Sequence, residues 1–255
     1  MSSTRAAVLA AVVGVAALSA CTPSSPTGPA PSPAATSTAP APSASPVATP
    51  SPPEIVEPTT TNTLPPPPAP SGPAPSTAGR LTAAALPVPT GWRTVALPGG
   101  DEEGYLGNGT WVHARDPRYA AQAVVSVGCA DVTRDDYRDP VAALEGSYRR
   151  GGEIGVGLVL EFADAAAAAS YFARYRAQVE ACGEPGQAVE TEVVGTPTAP
   201  DGGQGLVDRR TDAGTAWTEV VEQNGPRLTL LILGDPDARI TLGAAQTVLD
   251  QIRPV

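Results

Sequence analysis

Lysine is absent from this 255-residue chain, so all sixteen basic side chains are arginine, set against twenty-six Asp and Glu for a formal net charge of −10. A Gly-x-x-x-x-Gly-Lys phosphate loop cannot be written without lysine. The negative balance also argues against a sequence-independent grip on nucleic acid or on an anionic membrane surface, and no nucleic-acid partner is expected. Histidine is nearly as scarce. The single one, His113, sits in the strand-like stretch Thr110-Trp111-Val112-His113. A zinc site built on histidine needs several ligands. A Ser-His-Asp triad would have one candidate base and no Gly-x-Ser-x-Gly elbow to present its nucleophile. No catalytic residue, metal or cofactor is therefore assigned.

Other absences narrow the choice further. Gly155-Val156-Gly157 lacks the third glycine of a dinucleotide fingerprint and reads as a strand that tolerates close packing. The acidic residues Asp131, Asp135, Asp136 and Asp139 suggest calcium. However, an EF-hand loop starting at Asp131 needs Gly and Glu where this chain has Asp136 and Ala142, so a solvated loop is expected. Phenylalanine occurs twice, which leaves Trp and Tyr to fill core positions, Trp92 and Trp111 first among them. Glu145, Glu161, Glu219 and Glu222 fall on expected strands, where they are read as facing solvent. A carboxylate-pair hydrolase of wall polymer is the remaining catalytic alternative.

What is present is most specific at the start. Arg5 precedes an unbroken apolar run over residues 6–18. That run is too short for a bilayer, which needs about 20 residues, and has the length of a signal-peptide core. Leu18-Ser19-Ala20-Cys21 follows. Small residues let a peptidase hold the chain extended before the cut, and the thiol of Cys21 can accept a diacylglycerol. The tetrad resembles the bacterial lipobox. Residues 1–20 are read as a lipoprotein signal peptide and Cys21 as the lipidation site, which anchors the chain to the outer face of the cell membrane. Two acyl chains hold firmly where one holds marginally.

Residues 21–80 form a Pro/Ala/Ser/Thr-rich linker. The stretch 22–79 holds 19 of the 30 prolines and two charges, Glu54 and Glu57. With so few large apolar side chains it cannot offset the entropy of ordering, so it is expected to be a disordered tether. Residues 81–255 carry the Val, Leu, Ile, Trp and nearly all the charges, and make one extracellular domain of ordinary size.

Within that domain, strands are expected at 109–115, 121–128, 141–148, 154–162, 188–194, 205–211, 216–222 and 227–233. Arg150-Gly151-Gly152 and Asn224-Gly225 supply hairpin turns. Asp164 caps a helix whose apolar positions are Ala165, Ala168, Ala169, Phe172, Tyr175 and Val179, and a last helix covers 241–252. The sum is an α+β fold, an antiparallel sheet with at least two packed helices. Cys129 and Cys182 belong to an exported domain without a Cys-x-x-Cys motif, and are expected to form a structural disulfide.

Leu158-Val159-Leu160-Glu161-Phe162, then Asp164 and an Ala-rich helix ending in Cys182, resemble the PknH-type extracellular sensor domain found outside actinobacterial kinases and in free-standing lipoproteins. The arginine, alanine and proline bias also suggests a high-GC actinobacterial origin. The resemblance implies a helix-flanked antiparallel sheet with a cleft for an envelope ligand. That family carries two disulfides and a tryptophan before the helix cysteine. Here one bridge is possible and Val179 stands at that place, so no cleft residue is transferred. PsbP-like lipoproteins would give a similar pattern. The expected function is a non-catalytic, sensor-like binding domain for a small molecule or envelope protein. A structural or protein-interaction lipoprotein of the envelope is the alternative.

Overall fold

The computed structural model describes residues 72–96, 99–100, 105–125, 130, 133, 136–182, 189–212 and 214–252. Cys21, the signal segment and Cys129 lie outside them, as do Asp131 and Asp135.

The antiparallel hairpins form where alternating apolar residues meet turn-forming glycines. Ala142–Arg150 (β5) pairs with Glu153–Glu161 (β6) across Gly151, whose φ of +61° suits a residue without a Cβ. Thr215–Asn224 (β9) pairs with Arg227–Gly234 (β10), and Gly225 takes φ +54° in the turn between them. Val189–Gly195 (β7) and Gln204–Asp212 (β8) complete a meander. Strand β10 joins the two groups by pairing with β6, Leu230 opposite Leu158. Arg93–Thr94 (β1) and Val112–Arg115 (β4) pair with successive parts of β5, which gives the order β1-β5-β6-β10-β9-β8-β7 with β4 also on β5, off that path. Gly99–Gly100 (β2) and Tyr105–Leu106 (β3) form a separate small pair.

Strand register sorts the side chains onto two faces. His113, Glu145, Leu158, Leu230, Val221 and Leu206 form one transverse row across β4, β5, β6, β10, β9 and β8. Two helices cover this face, Pro117–Val125 (α1) and Ala165–Ala181 (α2). The opposite face carries Leu144, Tyr148, Val159, Leu231 and Val220. Helix Leu242–Leu249 (α3) and the N-terminal residues Leu81, Leu86 and Trp92 cover it. The described residues thus form an antiparallel sheet with three helices, as the α+β expectation required. None of those helices is long and apolar enough to cross a membrane.

Helix α2 begins as expected, with Asp164 Oδ1 accepting the Ala167 amide at 2.8 Å. Its buried stripe is Ala167, Ala168, Tyr171, Phe172, Tyr175, Gln178 and Val179, so Ala165 and Ala169 lie outside it. Strand 121–128 is a correction: residues 117–125 are helical. Asp116 accepts the Arg118 amide at 2.9 Å and Pro117 occupies the first turn, where its missing N–H costs nothing. Ala120, Ala121, Val124 and Val125 then recur at helical spacing and are buried. The glycines of β6 pack as expected. A Cβ on Gly157 would come within 2.8 Å of the Tyr148 ring, and one on Gly155 within 2.9 Å of Trp92.

The N-terminal approach is also tied down. Ala114 N donates to Pro75 O at 2.7 Å, and Asn108 Nδ2 donates to Ala74 O at 2.9 Å.

Candidate functional site: a cleft between two helices and the sheet

Helices α1 and α2 cover only part of their sheet face, and a cleft of about 150 Å³ remains at the margin. Val156 and Leu158 of β6 with Leu230 and Ile232 of β10 make its apolar floor. Ala120, Ala123 and Val124 of α1 make one wall. Small residues recur on that helix because they let it approach the sheet and leave space at its edge.

Charge enters the cleft as pairs. Arg115 of β4 is ion-paired with Glu145 of β5, and His113 Nε2 lies 3.8 Å from the other oxygen of Glu145. On the far side Arg210 Nη2 lies 2.8 Å from Glu219 Oε1. Tyr175 of α2 reaches down between β8 and β9. Its hydroxyl is 2.5 Å from Glu219 Oε2 and 3.2 Å from Asp208 Oδ1. Asp208 and Glu219 are opposite one another in the β8–β9 register, and both are at most 2 % exposed.

Two carboxylates so placed do not ionise together. Burial, and then the negative charge of Glu219, push the Asp208 carboxyl well above the usual range. Burial pushes the Tyr175 phenol up as well, with the Glu219 and Asp208 charges adding to it. A phenol has one proton to give. The consistent arrangement has protonated Asp208 donating to the Tyr175 oxygen, Tyr175 donating to the Glu219 carboxylate, and Arg210 balancing the remaining charge. Beside this chain a void of about 10 Å³ is bordered by Gln178, Thr191 and Arg210, close to the smallest space that takes one water. Gln178 Nε2 and Arg210 Nε, both buried, have no hydrogen-bond partner among the described residues.

The structure redistributes the residues singled out in the sequence. Glu145 and Glu219 line the cleft, whereas Glu161 and Glu222 lie on the opposite face. Glu161, Glu219 and Glu222 are buried rather than solvent-facing, Glu161 paired with Arg80 and Glu222 hydrogen-bonded to Asn224 at 3.3 Å. His113 is buried in β4 beside Glu145. Asp136 accepts the Thr133 amide at 2.7 Å and pairs with Arg174 at 3.2 Å. No group of metal-ligating side chains occurs among the described residues. Trp92 is buried, and Trp111 packs 5.5 Å from the Tyr148 ring. Asp208, Arg210 and the polar role of Tyr175 were not foreseen. The available signal was parity. Asp208 shares a face with Leu206, and Glu219 with Val221, so each acid sits where the alternation demands a core residue.

No protein-family model matches the chain, and no curated protein matches it. Among solved structures, it is similar to the extracellular domain of PknH from Mycobacterium tuberculosis. The two are 11 % identical over 66 % of this chain and 84 % of that one, with a TM-score of 0.34. At that likeness the reading of function rests on this chain's own residues.

Proposed function

We propose that the protein is a cell-surface lipoprotein whose domain binds a ligand without transforming it. The observation that carries the binding reading is the cleft: its floor and one wall are apolar, and its carboxylates Glu145 and Glu219 are already held by arginine. A general base or nucleophile must meet its substrate with a free lone pair. Glu145 and Glu219 also stand on strands three intervals apart in the sheet, about 14 Å at the usual strand spacing. Glycosidase carboxylates work at about 5–10 Å. Asp208 and Glu219 are close enough, but both are shut from solvent. A concave apolar surface with a few oriented polar groups suits recognition.

Native mass spectrometry of the protein purified from its own host tests this reading. A retained small molecule is expected, and it should be lost from an Ala123→Trp variant, which fills the cleft from its rim. Retention of the same molecule by that variant would place binding elsewhere and refute the reading.

The anchor rests on the sequence Leu18-Ser19-Ala20-Cys21. Cys21→Ser should release the chain from membranes and remove the mass of a diacylglycerol; a variant that stays in the membrane fraction counts against the anchor. We also propose the Cys129–Cys182 bridge. Cys182 is fully buried at the C-cap of α2. The amide of Ala130, the residue after Cys129, donates to Gln178 Oε1 at 3.2 Å, one turn before Cys182.

A further inference from the structure

Arg93 and Arg149 stand directly opposite one another in the β1–β5 pair. Facing side chains in an antiparallel pair have Cβ atoms about 5 Å apart, and like charges there oppose folding. In this domain most arginines have a carboxylate: Arg115 has Glu145, Arg150 has Glu153, Arg174 has Asp136, and Arg210 has Glu219. Among the described residues neither Arg93 nor Arg149 has an ion-pair partner, although the chain carries ten more acidic than basic side chains. So acidic a protein has carboxylates to spare, and the described residues leave the two arginines together without one.

Their position relates them to the cleft. Arg149 lies on the same sheet face as Glu145 and Ser147, and its neighbour on β6 is Ile154. Along that face of β6 the side chains emerge progressively, from buried Leu158 through half-buried Val156 to Ile154 at 47 % exposure. On β10 buried Leu230 gives way to half-buried Ile232 in the same direction. The cleft therefore opens along the strands toward the row that holds the arginine pair. Val95 continues the apolar surface on that side, since its amide bonds to Ser147 O at 3.0 Å. The nearer acids on this face, Glu145 and Glu219, are neutralised by Arg115 and Arg210, so among the described residues the open end keeps a net positive charge.

We propose that Arg93 and Arg149 hold the anionic head of an amphiphile whose apolar body lies in the cleft. This rests on the ligand-binding reading of the same cleft and names its ligand class. A space of about 150 Å³ takes an apolar group of roughly benzene size, five or six carbons. Two guanidinium groups side by side offer paired N–H donors to a phosphate or carboxylate.

The test is calorimetric titration of the full-length chain with hexyl phosphate, hexanol and inorganic phosphate, repeated on an Arg93→Gln/Arg149→Gln double variant. Hexyl phosphate should bind at least about tenfold more tightly than either fragment. The double variant should bind hexyl phosphate no better than hexanol, with its hexanol affinity unchanged, which also shows that the fold survives. Equal affinity for hexyl phosphate and hexanol, or a preference that persists in the double variant, overturns the arginine assignment and leaves the cleft standing. Equal affinity for hexyl phosphate and inorganic phosphate overturns the joint site. If neither alkyl probe binds the native chain, the cleft reading itself fails. Displacement of hexyl phosphate by phosphatidylglycerol vesicles would support the proposal with a lipid as source, and no displacement would support it with a free molecule.

Discussion

Tyr175, Asp208 and Glu219 show how a buried acid can be kept in an apolar layer. Burial holds the Asp208 carboxyl well above the usual range, and the Tyr175 hydroxyl bridges it to Glu219. Such groups leave a signature in the pH dependence of stability. Burial pushes the Glu222 carboxyl up to about 7, with the charges of Asp201 and Asp250 adding and a hydrogen bond from Asn224 opposing. Both acids hold a proton more tightly folded than unfolded, where the ordinary value is about 4. Their contribution is complete below about pH 4 and is lost as pH rises, through about 7 for Glu222 and over a window extending upward from about 4 for Asp208.

Asp235 has the opposite sign. Burial alone would raise it, but hydrogen bonds from Ile240, Thr218 and Arg239 and the Arg150 charge outweigh that and hold it below the usual carboxylate range. Its contribution fades only in acid below about pH 4. The urea midpoint should therefore fall between pH 4.5 and 7.5, and a Glu222→Gln variant should fall less steeply. A midpoint that climbs over that interval contradicts the assignment. None of this was legible from residue type. Glutamate on a strand was read as solvent-facing, whereas the parity of Glu219 with Val221 and of Glu222 with Val220 puts each on a covered face. Both faces of this sheet are covered, and a single sequence does not announce that.

At the scale of elements, the hairpins were readable because their signals are local. Gly151 and Gly225 take positive φ where the sequence places turns, and β5, β6, β9 and β10 follow within a residue or two. Asp164 is likewise a local signal, and Asp164→Ala should cost about 1 kcal/mol through loss of the Ala167 amide's partner, measured as a lower urea midpoint with an unchanged slope. Helix α1 departs from the expected strand because Ala120–Val125 is nearly all apolar, and such a run fits a buried strand as well as a short helix. The deciding evidence sat just upstream in Asp116-Pro117.

Gly157 shows a tertiary constraint expressed in sequence. Its missing Cβ makes room for Tyr148 and Leu231, since a Cβ there would stand 2.8 Å from the Tyr148 ring and 2.9 Å from Leu231 Cδ2. The Tyr148 hydroxyl is meanwhile fixed on Pro87 O at 2.9 Å. Gly157→Ala should cost about 1–3 kcal/mol by overpacking, despite the better strand propensity of alanine. A neutral result by chemical denaturation would mean that Tyr148 is free to move.

On the scale of the whole domain, two groups of strands are joined through the β6–β10 ladder, which pairs Glu161 with Arg227 and Gly155 with Leu233. Closing so distant a contact costs loop entropy. Helix α2 is the second connection. It packs on α1 and β10, and through Tyr175 it reaches Asp208 and Glu219 in β8 and β9. The proposed Cys129–Cys182 bridge would act on this same helix. It closes a loop of about 53 residues that contains β5, β6 and α2, for which the chain-entropy relation gives about 4 kcal/mol. It would also fix the C-terminal end of α2 near the exit of α1, the helix that forms a wall of the cleft. Reduction should then do two things. The domain should melt roughly 10 °C lower, at about 2–4 °C per kcal/mol for this size. Hexyl phosphate affinity should also fall, because α1 and α2 would no longer be held at a fixed spacing. A Cys129→Ser variant should already show both losses and respond to reductant no further. Scanning calorimetry with and without reductant decides it. An unchanged melting temperature, or two free thiols in the unreduced denatured domain, would exclude the bridge and leave the β6–β10 ladder and the Tyr175 contacts as what joins the two strand groups.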